Sequence, residues 1–156
     1  MNKITAHQIL TTYNVLADTR YTDQSTEVQF AVLDSLVASA WAHVDPDDIY
    51  SEYVHRHLRS RAAVQCLAIV RKAPFPDRNI EVAVYSTLTL LELNNYNLPT
   101  PSVAQELFRL LSNPTTTEDD VRDWISANVT LRRSPEAPYS QPEERKSQEK
   151  VITPDM

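Results

Sequence analysis

The chain has 156 residues, of which 42% are hydrophobic, enough for one domain with a buried core and too few to expect two. A net charge of -6 argues against a nucleic-acid partner, because phosphate-backbone affinity comes from clustered Lys and Arg, and it favours a protein or small-molecule partner. One cysteine, Cys66, excludes an internal disulfide and a multi-cysteine zinc site, and the absence of glycine excludes a glycine-rich phosphate cradle and leaves helix ends to Asn, Pro and polar caps.

The first segment, residues 5–18, opens on Thr5 with Gln8 three positions on, a capping-box pattern, and continues with Ile9, Leu10, Tyr13 and Leu16 at helical spacing. The second is expected from about Ser25 and Thr26 to His43, with Phe30, Leu33, Leu36, Val37, Ala40 and Trp41 on its apolar face. The third is expected from a cap at Asp45, with Pro46 in the first turn, to Arg71, burying Tyr53, Leu58, Ala62, Leu67 and Val70.

A break at residues 74–79 precedes Val82, Ala83, Val84, Tyr85, Leu88, Leu90, Leu91 and Leu93, a run apolar on almost every side, as a central helix is. Its β-branched residues also permit a strand, but the helical neighbours and the lack of a second strand favour helix. After a turn at 95–101, two shorter helices are expected. One is built on Val103, Leu107, Phe108 and Leu111; the other is capped by Thr117 and carries Val121, Trp124, Ile125 and Val129. The result is an all-α domain of about six helices over residues 1–131, followed by a polar tail, 132–156, whose Pro and charge content predicts disorder, with room for a short binding peptide.

No run reaches the ~18–20 apolar residues that cross a bilayer, and MNKITAHQ lacks the apolar stretch of a signal peptide. A cytoplasmic protein with no membrane partner is expected.

The stretch from Ala73 to Glu81, APFPDRNIE, followed by a buried helix and then LLELNNYNLPTPS, resembles the signature region of the Fic/Doc (Fido) family, most of all its compact Doc-like members. The family pattern is His-x-Phe-x-Asp/Glu-Gly-Asn-x-Arg. Phe75, Asp77 and Asn79 match it, whereas Ala73 stands at the His, Arg78 at the Gly and Glu81 at the Arg. The resemblance covers roughly residues 4 to 130, and Asn94-Asn95-Tyr96 stands where an Asn-Gly-Tyr turn is usual in Doc-like proteins.

The resemblance implies a helical Fic fold and transfer of AMP or phosphate to protein hydroxyls. It assigns Phe75 to anchoring the loop in the core, Asp77 to the Mg²⁺ of a nucleoside triphosphate and Asn79 to an anion hole. It also implies an antitoxin-like or target protein as partner. The departures weaken the chemistry: Ala73 cannot accept the proton of an attacking hydroxyl, a step worth about 10²–10⁴-fold. Glu81 puts an anion where a cation would meet phosphate. Arg78 restores a cation, but its Cβ is expected to close backbone conformations that glycine permits. Read without the resemblance, Phe75 is a core anchor, Asn79 a helix cap accepting a backbone N–H, and Asp77 a carboxylate favoured by the helix dipole.

Other clusters say less. His55 and His57 lie two apart and so on different helix faces, not at the i, i+4 spacing of a helical metal site. With Arg56, Arg59 and Arg61 they form a basic patch that is a solvated face or a receiver of an acidic peptide or phosphate. Cys66 sits in AAVQCLAIV, where burial is the plain expectation. A G-x-S-x-G elbow is impossible without glycine.

The expectation is therefore a degenerate Doc-like protein without the catalytic His, acting by binding as a pseudoenzyme or a toxin-antitoxin derivative. One alternative is an enzyme, either rewired to use Asp77 or Glu81 as a base on a different substrate or retaining residual nucleotidyl or phosphoryl transfer. Another is an unrelated helical adaptor with a chance F-x-D-x-N match.

Overall fold

The computed structural model describes residues 2–19, 28–42, 51–98 and 102–131, and for residues 51–56 the helix alone. Six helices carry the fold: α1 (Ala6–Ala17), α2 (Phe30–Trp41), α3 (Ser51–Lys72), α4 (Asn79–Leu93), α5 (Val103–Ser112) and α6 (Glu118–Asn128). Two two-residue strands, β1 (Tyr96–Asn97) and β2 (Thr130–Leu131), pair antiparallel with Tyr96 opposite Leu131. The domain is all-α, as the periodicity predicts. The strand pair is not in that prediction, because two residues carry no period.

Helix α1 starts where the capping box places it: the Thr5 hydroxyl accepts the Gln8 N–H at 3.1 Å, and the Gln8 side chain accepts the Thr5 N–H at 2.6 Å. Thr117 and Asp120 do the same for α6, at 3.1 and 2.9 Å. Helix α2 departs from the expectation, since Val28 and Gln29 precede it and it begins only at Phe30. Gln29 has φ -85° and ψ 78°, and the Phe30 N–H bonds the Val28 carbonyl at 2.9 Å, an inverse γ-turn that no helix contains. The Gln29 N–H is meanwhile held by the Pro74 carbonyl at 2.7 Å, so a tertiary bond fixes the start of α2. Its last helical residue is Trp41, with Ala42 extended at the C-cap. Ser25, Thr26, His43, Asp45, Pro46 and the tail from 132 lie outside the described residues, and Tyr53 lies within α3 where only the helix is described.

Helices α3 and α4 are the centre: α3 packs on α2, α4 and α6, and α4 packs on α1, α3 and α5. The core they share includes Leu58, Ala62, Cys66 and Ile69 from α3, with Val82, Ala83, Leu90 and Leu91 from α4. The apolar run of α4 is not buried all round, however. Tyr85 and Leu93 are each 44% exposed, while Ser86 and Thr87 are buried in their place, because α1, α3 and α5 leave one side of α4 open. Phe108 of α5 is likewise 41% exposed, against expectation. Among the described residues no helix is long and apolar enough to cross a membrane.

Chain closure falls to one buried asparagine after α4. Asn94 Oδ1 accepts the Asn2 N–H at 2.7 Å, and its Nδ2 donates to the carbonyls of Asn2 at 2.7 Å and Leu90 at 2.8 Å. The N-terminal segment is thereby tied to the far end of α4, so α1 and α4 run antiparallel.

Candidate functional site

The loop between α3 and α4 must stop one helix and start the next without glycine. Ala73 turns left-handed at φ 46°, while its N–H still bonds the Ile69 carbonyl at 3.0 Å, giving the αL helix stop that glycine usually supplies. Pro74 follows and is buried, with its carbonyl on Gln29. Phe75 then enters the core, 3% exposed, and its ring stacks on Tyr13 of α1 with centroids 4.6 Å apart and planes 14° apart.

Asn79 is the clamp of this loop. Its Oδ1 accepts the Phe75 N–H at 3.1 Å and its Nδ2 donates to the Phe75 carbonyl at 3.0 Å, satisfying both main-chain groups of the residue driven into the core. This corrects the sequence expectation: Asn79 does accept a backbone N–H, but from the loop, and it is the first residue of α4, not its cap. The N-cap is Arg78, which makes no side-chain capping bond.

Arg78 supplies a second correction. Its Cβ does not prevent the glycine-like conformation, since the residue sits at φ 61°, ψ 23°. The Phe75–Asn79 clamp and the start of α4 on either side impose it. Asn95 is also left-handed, at φ 69°.

Asp77 is exposed, and its Oδ1 accepts the Tyr13 hydroxyl at 2.9 Å, a tether to α1 in place of the capping role at α4. Arg78 Nη1 and Glu81 Oε1 lie 3.1 Å apart as an i, i+3 pair, half-exposed on the first turn of α4. The two carboxylates thus face separate partners, Asp77 a tyrosine and Glu81 an arginine. Ala73, Phe75, Asp77 and Arg78 lie in the loop, and Asn79 and Glu81 on the first turn of α4.

Tyr13 and Gln29 are the site residues that the sequence expectation lacks. Tyr13 counts there only as an apolar position of α1, although a buried tyrosine needs a partner for its hydroxyl, which is a signal in itself. No local signal marks Gln29, whose backbone bond depends on Pro74 being brought beside it.

These residues do not fit a Mg²⁺–nucleotide. Asp77 is a lone carboxylate with one oxygen committed to Tyr13, and among the described residues no group of three His, Cys, Asp or Glu side chains is placed to hold a metal. The carboxylate of Glu81, on the first turn of α4, takes up the nearby Arg78 cation that a phosphate would need.

The basic patch on α3 divides. Arg59 donates to the Tyr96 hydroxyl at 3.3 Å, and Arg61 donates to the Ala40 carbonyl at 3.4 Å, so both brace neighbouring elements. Arg71 does likewise for the α5–α6 connection through the Thr116 carbonyl. The side chains of His55 and Arg56 lie outside the described residues. Cys66 is fully buried, and burial pushes its thiol up to about 12, the state of an inert core cysteine. Thr87 lies close enough to temper that shift, yet its Oγ1 has no hydrogen-bond partner. A cavity of about 390 Å³ lies between residues 3–6 and α2, another of about 450 Å³ lies along α1 from Thr11 to Thr19, and neither is lined by residues 73–81. No protein-family model matches the chain, and no curated protein or solved structure matches it either.

Proposed function

We propose that this chain is a degenerate, Doc-like relative of the Fic/Doc proteins that acts by binding a protein partner and not by group transfer. Its former catalytic loop serves as a structural node. The observation that carries this reading is the internal use of the loop's polar groups: Asn79 clamps Phe75, Asp77 holds Tyr13, and Glu81 neutralises Arg78. Residue 73 offers no side chain to accept a proton.

Support for the family relation comes from the backbone. Positions 78 and 95, where the resembled family carries glycine, are both left-handed although neither is glycine here. A protein partner, an antitoxin-like segment or a target protein, follows from the same relation.

The test is thermal unfolding of the full chain with and without Mg²⁺ and each nucleoside triphosphate, repeated on Asp77→Ala. A bound ligand at about 100 times its Kd would add roughly 2.7 kcal/mol and raise the midpoint by several degrees. The expected outcome is no rise at millimolar nucleotide. A rise that Asp77→Ala abolishes would sink the non-catalytic reading and restore a phosphate site.

A further inference from the structure

The 390 Å³ cavity lies between the N-terminal segment leading into α1 and one ridge of α2. Asp34, Val37, Ala38 and Trp41 follow i, i+3, i+4, i+7 spacing and so share one face of α2. Lys3 and Ile4 form part of the opposite wall. The floor is apolar: Ile4 and Trp41 are buried, and the Trp41 indole N–H is spent on Gln65 Oε1 at 2.8 Å.

Two charges of opposite sign line this apolar cavity. Lys3 and Asp34 are both exposed, and neither has an ion-pair or hydrogen-bond partner among the described residues. The volume falls at the small end of ligand pockets, which run from about 300 to 1,000 Å³. An apolar floor with one cation and one anion on its walls is complementary to a small molecule that carries an apolar group, an anion and a cation.

We propose that this cavity binds a free α-amino acid with an apolar side chain. The ligand carboxylate meets Lys3, its ammonium meets Asp34, and its side chain lies over Val37, Ala38 and Trp41. Nothing in this depends on the Fic/Doc reading, since the cavity and the 73–81 loop share no residue.

Isothermal titration calorimetry on the full chain tests it, with L-leucine and L-phenylalanine as probes and N-acetyl-L-leucine and L-leucinamide as end-blocked comparators. Ligands of so few atoms held by two charged contacts are expected to saturate in about the millimolar range. Blocking either end, or making Asp34→Asn or Lys3→Met, should weaken binding about tenfold or more, as loss of a charge-assisted contact does. Circular dichroism confirms folding of the variants, and Trp124→Phe leaves Trp41 as the one tryptophan, whose emission should follow the same isotherm. No saturable heat from either amino acid at 20 times the millimolar range overturns the proposal. So does equal affinity for the end-blocked ligands, a comparison that needs no variant.

Discussion

At the scale of single residues, the loop shows how a chain without glycine builds positions that glycine usually fills. Arg78 holds φ 61° at a cost that its exposed ion pair with Glu81 offsets only in part. Arg78→Gly should therefore raise stability by about 0.5–1 kcal/mol despite the lost pair, read as a higher urea midpoint at unchanged m-value. Asn79 is the opposite case, because its side chain makes two bonds that nothing else can replace. Asn79→Ala should cost about 1–3 kcal/mol, the range for leaving partly buried main-chain groups unpaired. Asn79→Asp, which keeps the acceptor and loses the donor, should fall between it and the unmodified chain.

Between elements, α1 and the α3–α4 loop meet through one side chain with two functions. The Tyr13 ring stacks on Phe75 and its hydroxyl reaches Asp77, so substitutions can separate packing from tethering. Phe75→Ala empties a core position and should cost about 3–5 kcal/mol by chemical denaturation. Tyr13→Phe keeps the stack, loses a bond to an exposed carboxylate and should cost about 1 kcal/mol or less. A Tyr13→Phe loss as large as that of Phe75→Ala would place the tether, not the stack, at the centre of the node. Helices α1 and α6 need no such support to start, since each carries its own capping box.

Across the whole molecule, the α3–α4 interface sets a pH dependence. Burial raises the Cys66 thiol from 9.0 to about 12, so folding favours the protonated form. Its contribution is fully present below pH 9 and is lost as pH rises toward 12. Burial also raises the Tyr96 hydroxyl, opposed by Arg59, and this acts in the same direction. Urea midpoints measured under reducing conditions should hold steady from pH 7 to 8 and fall above 9. Cys66→Ala should fall less steeply, isolating the thiol from Tyr96.

Composition and local periodicity carried the all-α class, the helix order and both capping boxes, because each depends on neighbours within a few positions. Tertiary structure decided where α2 begins, through the Pro74–Gln29 bond, and which side of α4 stays open at Tyr85 and Leu93. It also decided what the loop's polar side chains do. The Fic/Doc resemblance implies a Mg²⁺ role for Asp77 and an anion-hole role for Asn79, yet their hydrogen bonds go to Tyr13 and to Phe75. A motif specifies which groups are present. Which partner each group bonds depends on what packing brings within 3 Å, and for Tyr13 and Asp77 that partner lies 64 residues away in the chain.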